Sequence, residues 1–129
     1  MTHFSDLGLA EPILRSIEQE GYTKPTPIQA KVIPSMLVGD DLVGVAQTGT
    51  GKTAAFVLPI LNGIVKDCIK PRSKHCRALI LTPTRELAAQ VHASIETYGK
   101  YLSLRSTVVF GGVKINPQMQ KLRGGVEIL

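Results

Sequence analysis

The 129 residues predict an α/β domain, a parallel β-sheet with flanking helices, on three observations. Short apolar runs at 42–45, 78–81, 107–110 and 126–129 are nearly continuous rather than alternating, as strands covered on both faces require. Between them lie stretches of helical periodicity, and strands alternating with helices read as βαβ units. Hydrophobic residues make up 43% and charged residues 19%, a globular composition at the length of one domain. With 5% aromatics and no Trp, the core must be aliphatic.

Along the chain, Leu9, Ile13, Leu14 and Ile17 form a helical stripe, with Pro12 tolerated in the first turn and Gly21 placed to end it. Thr26-Pro27-Ile28-Gln29 opens a second helix, with Thr26 as N-cap and Gln29 at the capping-box position. That helix is expected to stop or bend near Pro34. A strand at 42–45 then runs into a glycine-rich turn and a helix from about 52 to 65. A strand at 78–81, a helix over 85–98, a strand at 107–110, a short helix around 117–122 and a strand at 126–129 follow. In such a sheet ligands bind beyond the carboxyl ends of the strands.

Several function classes fall away. No apolar run approaches the roughly 20 residues that cross a bilayer, and the best stretch, 57–61, is interrupted by Pro59. The first six residues have neither the basic cluster nor the apolar segment of a secretory signal, so a cytoplasmic protein with no membrane partner is expected. Cys68 and Cys76 cannot frame a disulfide scaffold, and His3, His75 and His92 are scattered without metal-ligand spacing. The net charge of +5 is concentrated: Lys66, Lys70, Arg72, Lys74 and Arg77 face only Asp67 within 66–77. This segment reads either as a solvated loop or as a contact for an anionic partner.

The strand at 42–45 ends in Ala46-Gln47-Thr48-Gly49-Thr50-Gly51-Lys52-Thr53 and then a helix, the order of a P-loop, with Ala46 where the first glycine usually stands. Gly49 and Gly51 let the backbone approach a polyphosphate, and successive N–H groups converge on its oxygens at the positive end of the helix. Lys52 can reach the outer phosphates, and the Thr53 hydroxyl can ligate Mg²⁺.

Ala46–Thr53 resembles motif I of the DEAD-box RNA helicases. Gly21-Tyr22-Thr23-Lys24-Pro25-Thr26-Pro27-Ile28-Gln29 resembles their Q motif, with Phe4 at the upstream aromatic position. Pro83-Thr84-Arg85-Glu86-Leu87-Ala88 is similar to motif Ia, and Gly111-Gly112 to the following glycine doublet. Four motifs in the family's order cover nearly the whole chain, and the short N-terminus is most similar to bacterial members. The resemblance implies a P-loop NTPase of RecA-like fold that takes ATP and Mg²⁺. It assigns the nucleotide to Phe4, Tyr22, Lys24, Gln29 and residues 47–53, that is Gln47, Thr48, Gly49, Thr50, Gly51, Lys52 and Thr53. Lys52 and Thr53 carry the chemistry, and Thr53 the metal.

The resemblance also implies that Gln29 reads adenine while Phe4 stacks on it. An amide can donate and accept at once, as the N6/N7 edge of adenine demands. Gln29 also reads as a capping-box residue, and the two roles can share one amide. Arg85 opens a helix, where a cation opposes the dipole by about 0.3–1 kcal/mol. That cost makes sense if an anion docks there, and the resemblance names the RNA sugar–phosphate backbone, held by Pro83, Thr84, Arg85, Gly111 and Gly112. Thr84 either offers its hydroxyl to the phosphate or caps the helix, and the glycine doublet alone also reads as a plain turn. Backbone contacts predict little sequence preference and strong salt dependence.

Hydrolysis needs an acidic metal ligand at a strand end. Asp40 and Asp41 precede the first strand, and Glu127 lies inside the last apolar run. The family's Asp-Glu-Ala-Asp box, Ser-Ala-Thr motif and second RecA-like domain do not occur in the sequence. Residues 1–129 therefore read as the incomplete N-terminal part of a RecA-like domain from a longer helicase. They are expected to bind ATP and ADP without RNA-stimulated turnover, and either to dimerise through apolar sheet edges or to fold only marginally as a monomer. Rival readings are a P-loop ATPase that ignores nucleic acid and a non-catalytic module that binds RNA or protein.

Overall fold

The computed structural model describes residues 2–129. Helix α1 (Glu11–Gln19) carries Pro12 in its first turn, and the chain leaves it through Gly21 at φ +80°. Helix α2 (Pro27–Leu37) starts at the expected capping box: Thr26 Oγ1 accepts from the Gln29 N–H and Gln29 Oε1 from the Thr26 N–H. Pro34 does not stop α2, which continues three residues beyond it. The missing N–H forfeits one bond to the Ala30 carbonyl, but α2 packs along the next helix and buries Ile33 completely, which holds the last turn. Helix α3 (Lys52–Asp67) likewise passes through Pro59. Helix α4 spans Arg85–Tyr98 as expected, and α5 (Ile115–Leu122) begins two residues early. A 3₁₀ turn at Phe4–Leu7, with Asp6 Oδ2 accepting from the His3 N–H at 2.8 Å, had no clear sequence signal.

Strands β1 (Cys76–Ala78) and β2 (Val126–Ile128) pair in parallel, Cys76 against Val126 and Ala78 against Ile128. The ladder continues where the Leu129 N–H donates to Ala78 and the Ile80 N–H to Leu129. On its other side β2 meets Ser106 through one parallel bridge at Ile128, so β2 lies between the other two segments. All three of its residues are buried, Glu127 included.

Two of the four expected strands need correction. Residues 107–110 form no ladder beyond the bridge at 106, and 42–45 pair with nothing among the described residues. An apolar run declares that its side chains need cover, but a segment becomes a strand only when a neighbour presents matching N–H and C=O groups. Val43 is 92% and Val45 88% exposed, the opposite of the covered strand expected there. The expected strand at 78–81 is shifted, since its ladder begins at Cys76.

The core lies between the helices. Ile13, Ile17, Ile33, Val57, Leu58 and Leu61 are essentially inaccessible, and Val91, Ile95 and Ile128 join them. It is aliphatic, as composition required, except for Phe4 at its edge. Buried Ser16 has its hydroxyl 2.8 Å from both the Ile13 and Tyr98 carbonyl oxygens, which ties α1 to the end of α4. Asn62 Oδ1 accepts from the Ala10 N–H at 2.7 Å and pins the entry to α1 against α3.

Candidate functional site

The loop between the extended segment 42–45 and α3 is a tight turn over 48–50, with Gly49 at φ +79° and Gly51 at φ +83°. These left-handed angles are cheap only for glycine. Gly51 is also the N-cap of α3, and a Cβ there would run into the Gln29 amide. The loop is closed by its own side chains. Lys52 Nζ donates to the Ala46 carbonyl at 2.6 Å, and Thr50 Oγ1 to the Gln47 carbonyl at 2.6 Å. Gln47, Thr48 and Lys52 are exposed and Thr53 half-buried in the first turn of α3, where free backbone N–H groups and the helix dipole favour an anion.

Gln29 is buried, and both ends of its amide are engaged. Oε1 completes the cap of α2, and Nε2 donates to the Gly51 carbonyl at 3.1 Å. One residue therefore fastens the start of α2 to the start of α3. A cleft of about 820 Å³ opens beside it, lined by Phe4, Tyr22, Lys24, Thr48, Gly49 and Lys52 together with apolar side chains that include Leu58 and Val91. Phe4 is part of the cleft wall but is only 6% exposed and belongs to the core cluster, so its ring is largely covered by protein. Tyr22 is half-exposed and Lys24 exposed.

The second group of expected contacts also assembles. Arg85 opens α4, and its guanidinium lies so near Gly112 (φ +75°) that a Cβ there would sit 3.2 Å from Nη2. Thr84 is the N-cap, its Oγ1 accepting from the Leu87 N–H at 3.2 Å, which leaves the hydroxyl proton for another acceptor. Pro83, Thr84, Arg85, Gly111 and Gly112 are all exposed. The sequence did not announce Gln118: its Oε1 accepts from the Phe110 N–H at 2.6 Å, and its Nε2 donates to the Phe110 and Lys114 carbonyls at 3.2 Å each. It clamps the glycine turn from α5, and its polar position on a short helix gave no cue to that role. The Ala46 carbonyl, which receives Lys52, was equally invisible. Among the described residues no three His, Cys, Asp or Glu side chains converge as a metal site, and no helix is long and apolar enough to cross a membrane.

A parallel α/β domain in which a two-glycine turn opens a helix, and in which an arginine at another helix start lies against Gly112, has the architecture of P-loop proteins. Residues 26–129 match the DEAD/DEAH box helicase family, and the chain belongs to it. The DEAD-box ATP-dependent RNA helicase RhpA of Helicobacter pylori (strain B128) is 42% identical over 127 residues, 98% of this chain and 24% of that protein. The ATP-dependent RNA helicase DeaD of Klebsiella pneumoniae is 44% identical over 129 residues, 99% of this chain and 19% of that protein. A DEAD box protein from the hyperthermophile Methanococcus jannaschii superposes with a TM-score of 0.86 at 37% identity, over 100% of this chain and 34% of that one. An RNA helicase of Chaetomium thermophilum bound to ADP does so with a TM-score of 0.88 at 39% identity, over 99% and 31%. The fold is thus the RecA-like fold of that family, as the resemblance implied. The chain spans a quarter or less of the curated relatives' length.

Proposed function

We propose that residues 1–129 are the nucleotide- and RNA-backbone-binding part of an ATP-dependent RNA helicase that opens or remodels short duplexes. The observation that carries this reading is the cradle at 46–53, where Lys52 folds over a two-glycine turn at the head of α3. Its donor set fits a polyphosphate: backbone N–H groups of 49–53, the Lys52 ammonium and the Thr53 hydroxyl. Gln29 and Tyr22 border the space for the base, with Phe4 behind them. Mg²⁺, when bound, would neutralise phosphate charge from the Thr53 side. Pro83, Thr84, Arg85, Gly111 and Gly112 hold the sugar–phosphate backbone of RNA. Because these contacts avoid the bases, binding has little sequence preference. The side chains of 1–129 supply grip rather than turnover, so ATP and ADP bind without RNA-stimulated hydrolysis. A cytoplasmic setting follows from the same kinship.

Calorimetry with Mg-ATP on the wild-type chain and on Lys52→Ala tests this. Losing one charge-assisted bond to phosphate weakens binding by about ten-fold or more. A wild-type chain that ignores Mg-ATP, or a Lys52→Ala variant that binds it unchanged, overturns the reading.

A further inference from the structure

The basic segment at 66–77 plays no part in the site above, and the structure gives it neighbours that the sequence could not. Because β1 and β2 are parallel, their amino ends open on one rim, entered by 68–75 and by 123–125. Two bonds fasten these stretches together across some fifty residues of sequence: Ser73 Oγ donates to the Arg123 carbonyl, and the Val126 N–H to the His75 carbonyl at 3.1 Å. Arg105 Nη2 braces the second stretch, donating to the Gly124 carbonyl at 3.2 Å. Gly125, at φ +77°, packs against the Arg72 carbonyl where no Cβ fits. The rim is therefore a built surface and not a free loop.

Its charge is unbalanced. The two carboxylates of these segments are already used: Asp67 pairs with Arg77 at 3.0 Å, and buried Glu127 accepts from the Arg105 N–H at 2.6 Å. Lys70, Arg72, Lys74, Lys121 and Arg123 are exposed and make no ion pair among the described residues. Neither 66–77 nor 121–125 contains a Phe, Tyr or Trp, and the one aromatic ring there, His75, has Nδ1 2.8 Å from the Ser73 carbonyl oxygen. The Arg85–Gly112 contact lies at the carboxyl end of the same strands. From Cys76 to Thr82 is six residues, about 20 Å at roughly 3.3 Å per extended residue.

We propose that this rim is a second docking surface for the phosphate backbone of an RNA strand, separate from the contact at Arg85 and read through charge alone. The proposal rests on the reading of Arg85 as an RNA contact, because a strand held there is supplied to the rim at high effective concentration. That shared tether favours RNA over an acidic protein as the occupant. Each cation that neutralises a phosphate on a single strand contributes about 0.7 to the slope of log K against log salt.

The test is the salt dependence of fluorescence anisotropy for a labelled 20-nucleotide single-stranded RNA. It compares the wild-type chain, Arg85→Ala, and the triple variant Arg72→Gln/Lys74→Gln/Arg123→Gln, with thermal unfolding as a check on integrity. The expected result is that the triple variant lowers the slope by about 2 and weakens binding at low salt, while Arg85→Ala lowers both independently. A triple variant with the wild-type slope, beside an Arg85→Ala variant that binds weakly, overturns the rim and leaves the first contact standing. A wild-type chain that does not bind the RNA overturns both. Competition by polyglutamate as strong as by unlabelled RNA, lost in the triple variant, assigns the rim to acidic protein and overturns the RNA reading. If the triple variant unfolds early, Lys121→Gln with Lys70→Gln, on exposed side chains that make no hydrogen bond among the described residues, carries the same comparison with an expected slope change of about 1.4.

Discussion

Replacing Gln29 by Glu separates the two ends of the amide that joins the start of α2 to the glycine turn before α3. The carboxylate can still accept from the Thr26 N–H, so the cap bond of 3.0 Å survives. The bond from Nε2 to the Gly51 carbonyl at 3.1 Å does not, and a carboxylate oxygen is left facing a carbonyl oxygen at a position only 6% exposed. The lost bond costs about 1 kcal/mol, and the unpaired buried oxygen about 1–3 kcal/mol more. A negative charge near a helix start returns about 0.3–1 kcal/mol. The net loss is about 2 kcal/mol, which for a domain of this size lowers Tm by about 6–10 °C. Differential scanning calorimetry without nucleotide reads the structural half. Thermal shift with ATP against GTP reads the other, and the preference for adenine should vanish because the donor has gone. A Gln29→Glu chain as stable as wild type, or one that still prefers ATP, refutes the assignment of both roles to this amide.

Three further outcomes are expected. Gly51→Ala forces an L-residue to φ +83° and drives a methyl into the Gln29 amide, for a loss of about 2 kcal/mol or more. Gly63→Ala, inside α3 with open space at its Cβ, gains about 0.5–1 kcal/mol, and urea denaturation of the two variants should move in opposite directions. Burial raises the Tyr98 hydroxyl above its ordinary value of 10.0, reinforced by Tyr22 and Glu20. The folded state then holds this proton more tightly than the unfolded one, so stability is intact below about pH 10 and falls as pH rises through the folded-state value. Tyr98→Phe should lessen that alkaline loss in pH-dependent melting, and an unchanged profile would count against the burial argument.

How much of this was legible beforehand differed by residue. The Thr26–Gln29 capping box, the start of α3 at Lys52 and the span of α4 were written in local chemistry, because caps and glycine turns are satisfied by residues three or four apart. The two-glycine turn before α3 was legible for the same reason. Strand pairing was not: the partner of 76–78 is fifty residues away, and apolarity at 42–45 says nothing about who lies alongside. The double engagement of Gln29 was half visible, its cap in sequence and its bond to Gly51 only in space. The resemblance gave Phe4 a base-stacking role while the residue alone read as core, and the 3₁₀ turn places it in the core cluster with Leu7 and at the cleft wall. Gln118 could not be singled out, since a glutamine on a polar helix looks alike whether it clamps a loop or faces water.

The central place of β2 fixes the order in which this polypeptide can be assembled as it leaves the ribosome. Helices α1 to α4 are complete in sequence by residue 98, but Cys76–Ala78 and Ser106 have no common neighbour until Ile128 has emerged. Throughout that interval Ile95 lacks the cover of Ile128, which joins it in the core cluster. Sheet closure is therefore a late, long-loop event, and the nascent chain carries open apolar surface for as long as translation takes to span roughly thirty codons.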